Sequence, residues 1–190
     1  IYPENKVFNI EQAPLMLAYH SAVWAGLYKS SFIKQLAFKT DQGAAYVDFP
    51  FSFEALVKAK GIMLTYKRLY HYQIEEGQNS STLKPGRGAF KMLDQILYVK
   101  NFLVQNGLLN KYAEEFHYHA AKCYSTFFRC YIEEKYKKEF YKQIRKICKG
   151  LPKNFSYRYF EDKFRPFTEA VVRNDKAYIF NRKPKRPKQY

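Results

Sequence analysis

The spacing of apolar residues changes along this chain, and each spacing predicts a different element. The first regular spacing is that of a helix with one buried face, formed by Phe49, Phe53, Leu56 and Val57. Pro50 suits the first turn of such a helix, and Gly61 suits its C-terminal cap. The pattern therefore predicts a helix over about residues 50–60.

The apolar period then shortens to two, which is typical of strands with a single apolar face. The apolar positions of this stretch are all even-numbered: Ile62, Leu64, Tyr66, Tyr70, Tyr72 and Ile74. One or two strands are expected there, followed by a polar loop over residues 76–88 that contains glycine and proline. Before the helix, residues 1–12 are expected to be extended, and residues 13–32 are expected to form one or two short helices.

Beyond the loop the pattern is helical throughout. Residues 89–106 form one predicted helix, which Gly107 closes. A second helix has a core seam of heptad spacing: Leu109, Ala113, Phe116, Ala120, Cys123, Phe127 and Cys130. A basic helix is predicted at about 133–149, and shorter elements are predicted around 156–163 and 166–173.

These elements predict an α+β fold that is mostly α-helical and contains a short strand pair. We expect a mixed portion over residues 1–85, a helical extension over 86–180 and a mobile basic tail over 181–190. The chain has no run of about 18 apolar residues, and Ile1 does not begin a signal peptide. Because it does not begin with methionine, we expect it to be a piece of a longer protein.

Charge widens the range of candidate partners. Lys and Arg number 33 against 17 Asp and Glu, which gives a formal net charge of +16. Such an excess favours nucleic acid, an anionic membrane surface or phosphorylated substrates. Aromatic residues, at 19 % of the chain, would suit base stacking. A genome poor in G and C explains both excesses without a partner, and the absence of an RNA-recognition, zinc-finger or homeodomain motif makes nucleic acid the weaker alternative.

Cysteine and histidine give no metal or nucleophile site. Three cysteines without a C-x-x-C spacing fit a reducing compartment better than a disulfide framework. His117 and His119 are two residues apart on a predicted helix, so they point about 200° apart and cannot chelate one ion. We expect both to be surface or seam residues, and we expect no metal site built from this chain alone.

The basic segment "KYKKEFYKQIRKICKG" (135–150) has two interpretations. As an amphipathic helix it could lie on an anionic membrane. As an ordinary surface helix it would pack its apolar face inward and expose its charges to water. The tail "NRKPKRPKQY" could contact phosphates of lipid or nucleic acid, or could simply aid solubility.

Asp48 also has two interpretations. It precedes the first turn of the predicted 50–60 helix, where a short acidic side chain caps free backbone N–H groups. The positive end of the helix dipole stabilises a negative charge at the same place. A cap and a reactive carboxylate are therefore compatible roles for this residue.

Three blocks occur in an order that resembles the second half of bacterial family-2 glycosyltransferases, the GT-A enzymes that build surface polysaccharides and lipopolysaccharide. They are "HSAVWAGLYKSSFI" (20–33), "GAAYVDFPFSFEAL" (43–56) and "LYHYQIEEGQNSST" (69–82). The resemblance covers about residues 15–83, and it implies that residues 1–85 are the acceptor-side part of a GT-A domain. It does not include the nucleotide-binding strand and D-x-D motif of the family, which are absent from this sequence.

The resemblance implies an inverting transfer in which Asp48 is the catalytic base toward an acceptor hydroxyl. Trp24 would offer an apolar platform to a sugar ring. Five further residues would lie near the acceptor or the leaving diphosphate: His71, Gln78, Asn79, Ser80 and Ser81. The implied partners are a nucleotide-sugar donor and a saccharide or lipid-linked acceptor, with Mg²⁺ or Mn²⁺ bound by the full-length enzyme and not by this fragment. The implied location is cytoplasmic, at or near the inner face of the membrane.

Overall fold

The structure is a computed structural model that describes residues 2, 4–19, 22–38, 45–71, 86–151, 154–160 and 163–181. Within these residues it is mostly helical and contains a two-stranded antiparallel sheet, which confirms the predicted α+β fold. The strands are β1 (Val7–Phe8) and β2 (Ile62–Met63). The α-helices are α1 (Ser30–Ile33), α2 (Asp48–Lys58), α3 (Phe90–Gln105), α4 (Ala113–Cys130), α5 (Lys137–Cys148), α6 (Arg165–Arg173) and α7 (Lys176–Phe180).

The strand pair differs from the one that the period of two predicted. β2 stops at Met63 and pairs with β1, so Val7 faces Met63 and Phe8 faces Ile62. Residues 65–71 have no regular structure, and residues 72–74 lie outside the described part. The carboxylate of Glu4 accepts hydrogen bonds from Thr65 Oγ1 at 3.1 Å and from the backbone N–H of Tyr66 at 2.8 Å. The Glu4 side chain therefore accepts from the Tyr66 N–H group, which would pair with a strand if β2 extended that far.

The segment before α2 is built from single turns. Two 3-10 helices and α1 replace the one or two short helices that were predicted: Pro14–Leu17, Val23–Ala25 and Ser30–Ile33. Leu17 is buried, whereas Trp24 and Leu27 are exposed. The apolar residues of this segment thus divide between the core and the surface.

α2 begins earlier and ends earlier than expected. Val47 is the N-cap, so Asp48 lies in the first turn and does not precede it. The helix ends at Lys58 with Ala59 as its C-cap, and Gly61 lies beyond the helix. Of the four apolar residues predicted for its buried face, Phe49 and Phe53 are buried, whereas Leu56 and Val57 are only partly buried.

α3 and α4 form the centre of the fold. α3 ends one residue before Asn106, and Gly107 closes it with a positive φ of 68°, as predicted. α4 is buried over a much wider arc than its heptad seam, because residues 115–121 are all buried. His117 and His119 are therefore core residues and not surface residues, while the seam positions Cys123 and Cys130 are only partly buried.

The three C-terminal helices complete the core. α5 buries Phe140, Ile144 and Ile147, so its apolar face packs inward. α6 confirms the element predicted at 166–173, whereas α7 had not been predicted and the described residues of 156–163 contain no helix. One continuous cluster of buried residues, from Ile10 to Ile179, joins these helices to α2 and the N-terminal segment. No helix among the described residues is long and apolar enough to cross a membrane.

Candidate functional site

The first two of the three sequence blocks meet through Tyr28. Its ring packs edge-on against Phe51 of α2, with ring centroids 5.2 Å apart. Its hydroxyl forms a hydrogen bond with the side chain of Ser52, one turn after Asp48. A Cβ at Gly26 would lie 2.5 Å from the Tyr28 hydroxyl oxygen, so any other residue there would force the Tyr28 ring to shift. Tyr28 thereby fixes the 22–28 segment against the start of α2.

Asp48 is half-buried in the first turn of α2, at the positive end of the helix dipole. Burial is the larger cause that raises the pKa of Tyr28, and the negative charge of Asp48 raises it further. The Tyr28 hydroxyl therefore remains protonated near this carboxylate at neutral pH. A carboxylate near a neutral phenol is an arrangement that can accept a proton from a bound hydroxyl group.

The first and third blocks meet through Trp24. Its indole is 46 % exposed and stacks on Tyr70, with ring centroids 4.8 Å apart and an interplanar angle of 22°. Trp24 is therefore a surface residue and not part of the core. His71, the next residue, is exposed. Gln78, Asn79, Ser80 and Ser81 lie outside the described residues.

Glu54 is a buried carboxylate that the sequence interpretation missed. Its side chain is 1 % exposed and forms a salt bridge of 2.6 Å with Lys58 Nζ. It also accepts hydrogen bonds from the backbone N–H groups of Ala37 at 2.6 Å and Phe38 at 2.9 Å. The spacing of Glu54 and Lys58 is visible in the sequence, but the two backbone donors are not. Glu54 holds the segment that follows α1 against α2.

His119 packs against Phe49, the residue that directly follows the candidate base Asp48. The imidazole and the phenyl ring lie face to face, with centroids 4.0 Å apart and an interplanar angle of 7°. Since Phe49 follows Asp48 directly, this stack fixes the first turn of α2 against α4. The role of His119 here is packing, which the polar character of histidine in the sequence did not indicate.

A shallow cleft runs beside α2 on the Phe49 side. Its lining combines the first 3-10 helix with α2: Met16, Leu17, Tyr19, Phe49, Ser52, Phe53 and Leu56. The empty volume is about 180 Å³, including space that is open to solvent. Sites that enclose a small molecule usually measure about 300–1,000 Å³. This cleft is therefore too small to enclose a sugar nucleotide.

The described residues contain no group of three or more His, Cys, Asp or Glu side chains that could hold a metal ion. Many of the aromatic residues are buried in the core, including Phe116, Tyr124, Phe140 and Phe167. Comparisons with protein-family models, curated proteins and solved structures find no match to this chain.

Proposed function

We propose that this chain is the acceptor-side part of a glycosyltransferase and that Asp48 is its catalytic base. The observation that carries the proposal is the meeting of the three sequence blocks in space. Tyr28 joins the first block to the second at Ser52, and the stack of Trp24 on Tyr70 joins the first block to the third. The first block therefore contacts the second block and the described part of the third.

The proposed chemistry at Asp48 is proton removal from an acceptor hydroxyl as its oxygen attacks the anomeric carbon of the donor. The bond from that carbon to the diphosphate breaks, and the diphosphate leaves with the electron pair. Attack from the opposite side inverts the configuration of the sugar. A carboxylate suits this step because the transition state is oxocarbenium-like and gains from a positioned base.

Each neighbour has a limited role in this proposal. Tyr28 keeps a neutral hydroxyl group beside the base, and Trp24 offers one face to a sugar ring while Tyr70 covers the other. The cleft beside α2 is small, as we expect if this chain is one part of an enzyme and another part binds the donor. Donor and divalent metal would be bound by residues that the resemblance assigns to the other half of the enzyme.

The test compares Asp48→Asn with Asp94→Asn in the full-length parent enzyme, using a panel of nucleotide sugars and measuring release of nucleoside diphosphate. Asp94 is an exposed aspartate on α3 and serves as the matched control. Loss of a general base is expected to lower transfer by about 100-fold or more while donor affinity stays constant. The control variant is expected to keep its rate.

Two outcomes would contradict the proposal. If Asp48→Asn transfers sugar at the parent rate, Asp48 is not the base. If the parent enzyme neither transfers nor hydrolyses any nucleotide sugar of the panel, the proposed activity is wrong.

A further inference from the structure

The outward face of α5 carries a row of lysines. Lys138, Lys142 and Lys146 follow one another at intervals of four residues, so they project from the same side of the helix, and Lys149, the C-cap residue, lies just beyond its end. All four are exposed. From Lys138 to Lys146 the row extends about 12 Å at the helical rise. We call these four residues the lysine face.

The charges of the lysine face are not neutralised by the described residues around it. The salt bridges near α5 engage other cations: Glu133 with Lys135, Glu134 with Lys137, and Glu139 with Arg87. Within the described part of the chain, no carboxylate lies within ion-pair distance of any of the four lysines. Among the described residues, none of the four lysines therefore has an acidic partner.

Two further cations reinforce this surface at the ends of helices. Lys100 Nζ donates to the backbone carbonyls of Lys146, Ile147 and Lys149 at 2.7–3.0 Å, where α5 ends. Arg145, also on α5, donates to the carbonyl oxygen of Val171 at 2.6 Å, near the end of α6. Both cations sit at negative dipole ends, where they stabilise the helices. They also add positive potential beside the lysine face.

The opposite face of α5 decides how this helix can meet a partner. Phe140, Ile144 and Ile147 are fully buried, and Tyr141 and Cys148 are nearly so. The helix consequently has no apolar surface left to insert among lipid chains, as an interfacial amphipathic helix does. Any contact through α5 has to be electrostatic.

We propose that the lysine face binds the surface of an anionic lipid bilayer without inserting into it. Charge complementarity carries this inference: exposed lysines along one side of α5 and just beyond its end match the negative charge of a plane of lipid phosphates. Single-stranded nucleic acid fits less well, because its binding sites interleave cations with stacking aromatics. The aromatic residues of α5 are buried in the core or lie toward it. The proposal does not depend on the glycosyltransferase assignment.

The experiment measures co-sedimentation of the full 190-residue chain with phosphatidylcholine vesicles, with and without phosphatidylglycerol, at low and physiological salt. One variant replaces Lys138, Lys142, Lys146 and Lys149 by glutamine. A matched variant replaces Lys6, Lys29, Lys34 and Lys60, which are exposed and lie outside α5. The two variants have the same net charge, and far-ultraviolet circular dichroism checks that both keep the parent helix content.

Binding is expected only with phosphatidylglycerol and is expected to weaken as salt rises. Since each lysine contributes about fivefold to partitioning, the lysine-face variant should bind at least about 100-fold more weakly, while the matched variant stays close to the parent. Equal losses in both variants would overturn the proposal in favour of net charge alone. Binding that ignores phosphatidylglycerol, or tighter binding to a single-stranded or duplex oligonucleotide through the same lysines, would overturn the assignment to lipid.

Discussion

Acid should destabilise this protein through one buried side chain, His117. The residue is 3 % exposed on α4, and its ring meets the edges of Phe116 and Phe155. Within the described residues its Nδ1 has no hydrogen-bond partner. Burial, and secondly the positive charge of Lys100, lower the pKa of His117 from 6.5 to about 3.

The direction of the effect follows from linkage. As pH falls through 6.5, the unfolded chain binds a proton at His117, whereas the folded chain does not bind it until about pH 3. Above pH 6.5 His117 therefore does not change the free energy of unfolding. Between pH 6.5 and about pH 3 it lowers that free energy progressively. At about 1.4 kcal/mol per pH unit, the loss between pH 7 and pH 5 is about 2 kcal/mol. That is a substantial part of the ~5–15 kcal/mol that stabilises a typical domain.

The assay is urea unfolding at pH 7 and pH 5, followed by far-ultraviolet circular dichroism. His117→Gln removes the titrating group, so this variant should lose about 2 kcal/mol less than the parent over the same pH change. His71→Gln, which removes an exposed imidazole, is the control and should leave the pH dependence unchanged. If the parent and His117→Gln lose equal stability between the two pH values, His117 does not carry the acid sensitivity.

Two further predictions concern buried groups. Glu54→Gln should lower the free energy of unfolding by about 2–4 kcal/mol, because the amide cannot replace the carboxylate that pairs with Lys58 and accepts from the Ala37 and Phe38 N–H groups. Glu139→Gln, which breaks only the exposed pair with Arg87, should cost less than about 1 kcal/mol, and equal costs would contradict the reasoning. Burial raises the pKa of the Cys148 thiol to about 11, so iodoacetamide at pH 8 should alkylate it at least about 100-fold more slowly in the native protein than in urea. Peptide mass mapping checks this rate, and similar rates in both conditions would show that the thiol is accessible.

The sequence predicted best those helices that keep a polar side. α3 and α5 each expose one face, so their apolar period of 3.6 was readable in the sequence. α4 was found from its heptad seam, but its burial was underestimated, because the polar residues Glu115, His117 and His119 are buried together with the apolar ones. Its two buried histidines pack against aromatic rings, which the residue type did not indicate.

The period of two at residues 62–74 misled for a different reason. Tyr66 and Tyr70 alternate with polar residues, yet both are exposed, and Tyr70 stacks on Trp24. An alternating pattern predicts a strand only when one face packs on a core. The candidate site was likewise only partly predictable. Asp48 could be located because it lies at the start of a helix. The contact between Tyr28 and Ser52 joins residues more than twenty positions apart, and the local pattern does not indicate it.

The short ladder between β1 and β2 has a consequence for synthesis on the ribosome. Val7 cannot pair with Met63 until Met63 has been synthesised, more than fifty residues later. At a translation rate of about 5–20 residues per second, this delay is roughly 3–11 s. The helices after residue 86 mostly contact neighbours that are nearer in sequence, so they can form soon after they emerge. The N-terminal segment is therefore the portion that spends longest without its partner while the chain is being made.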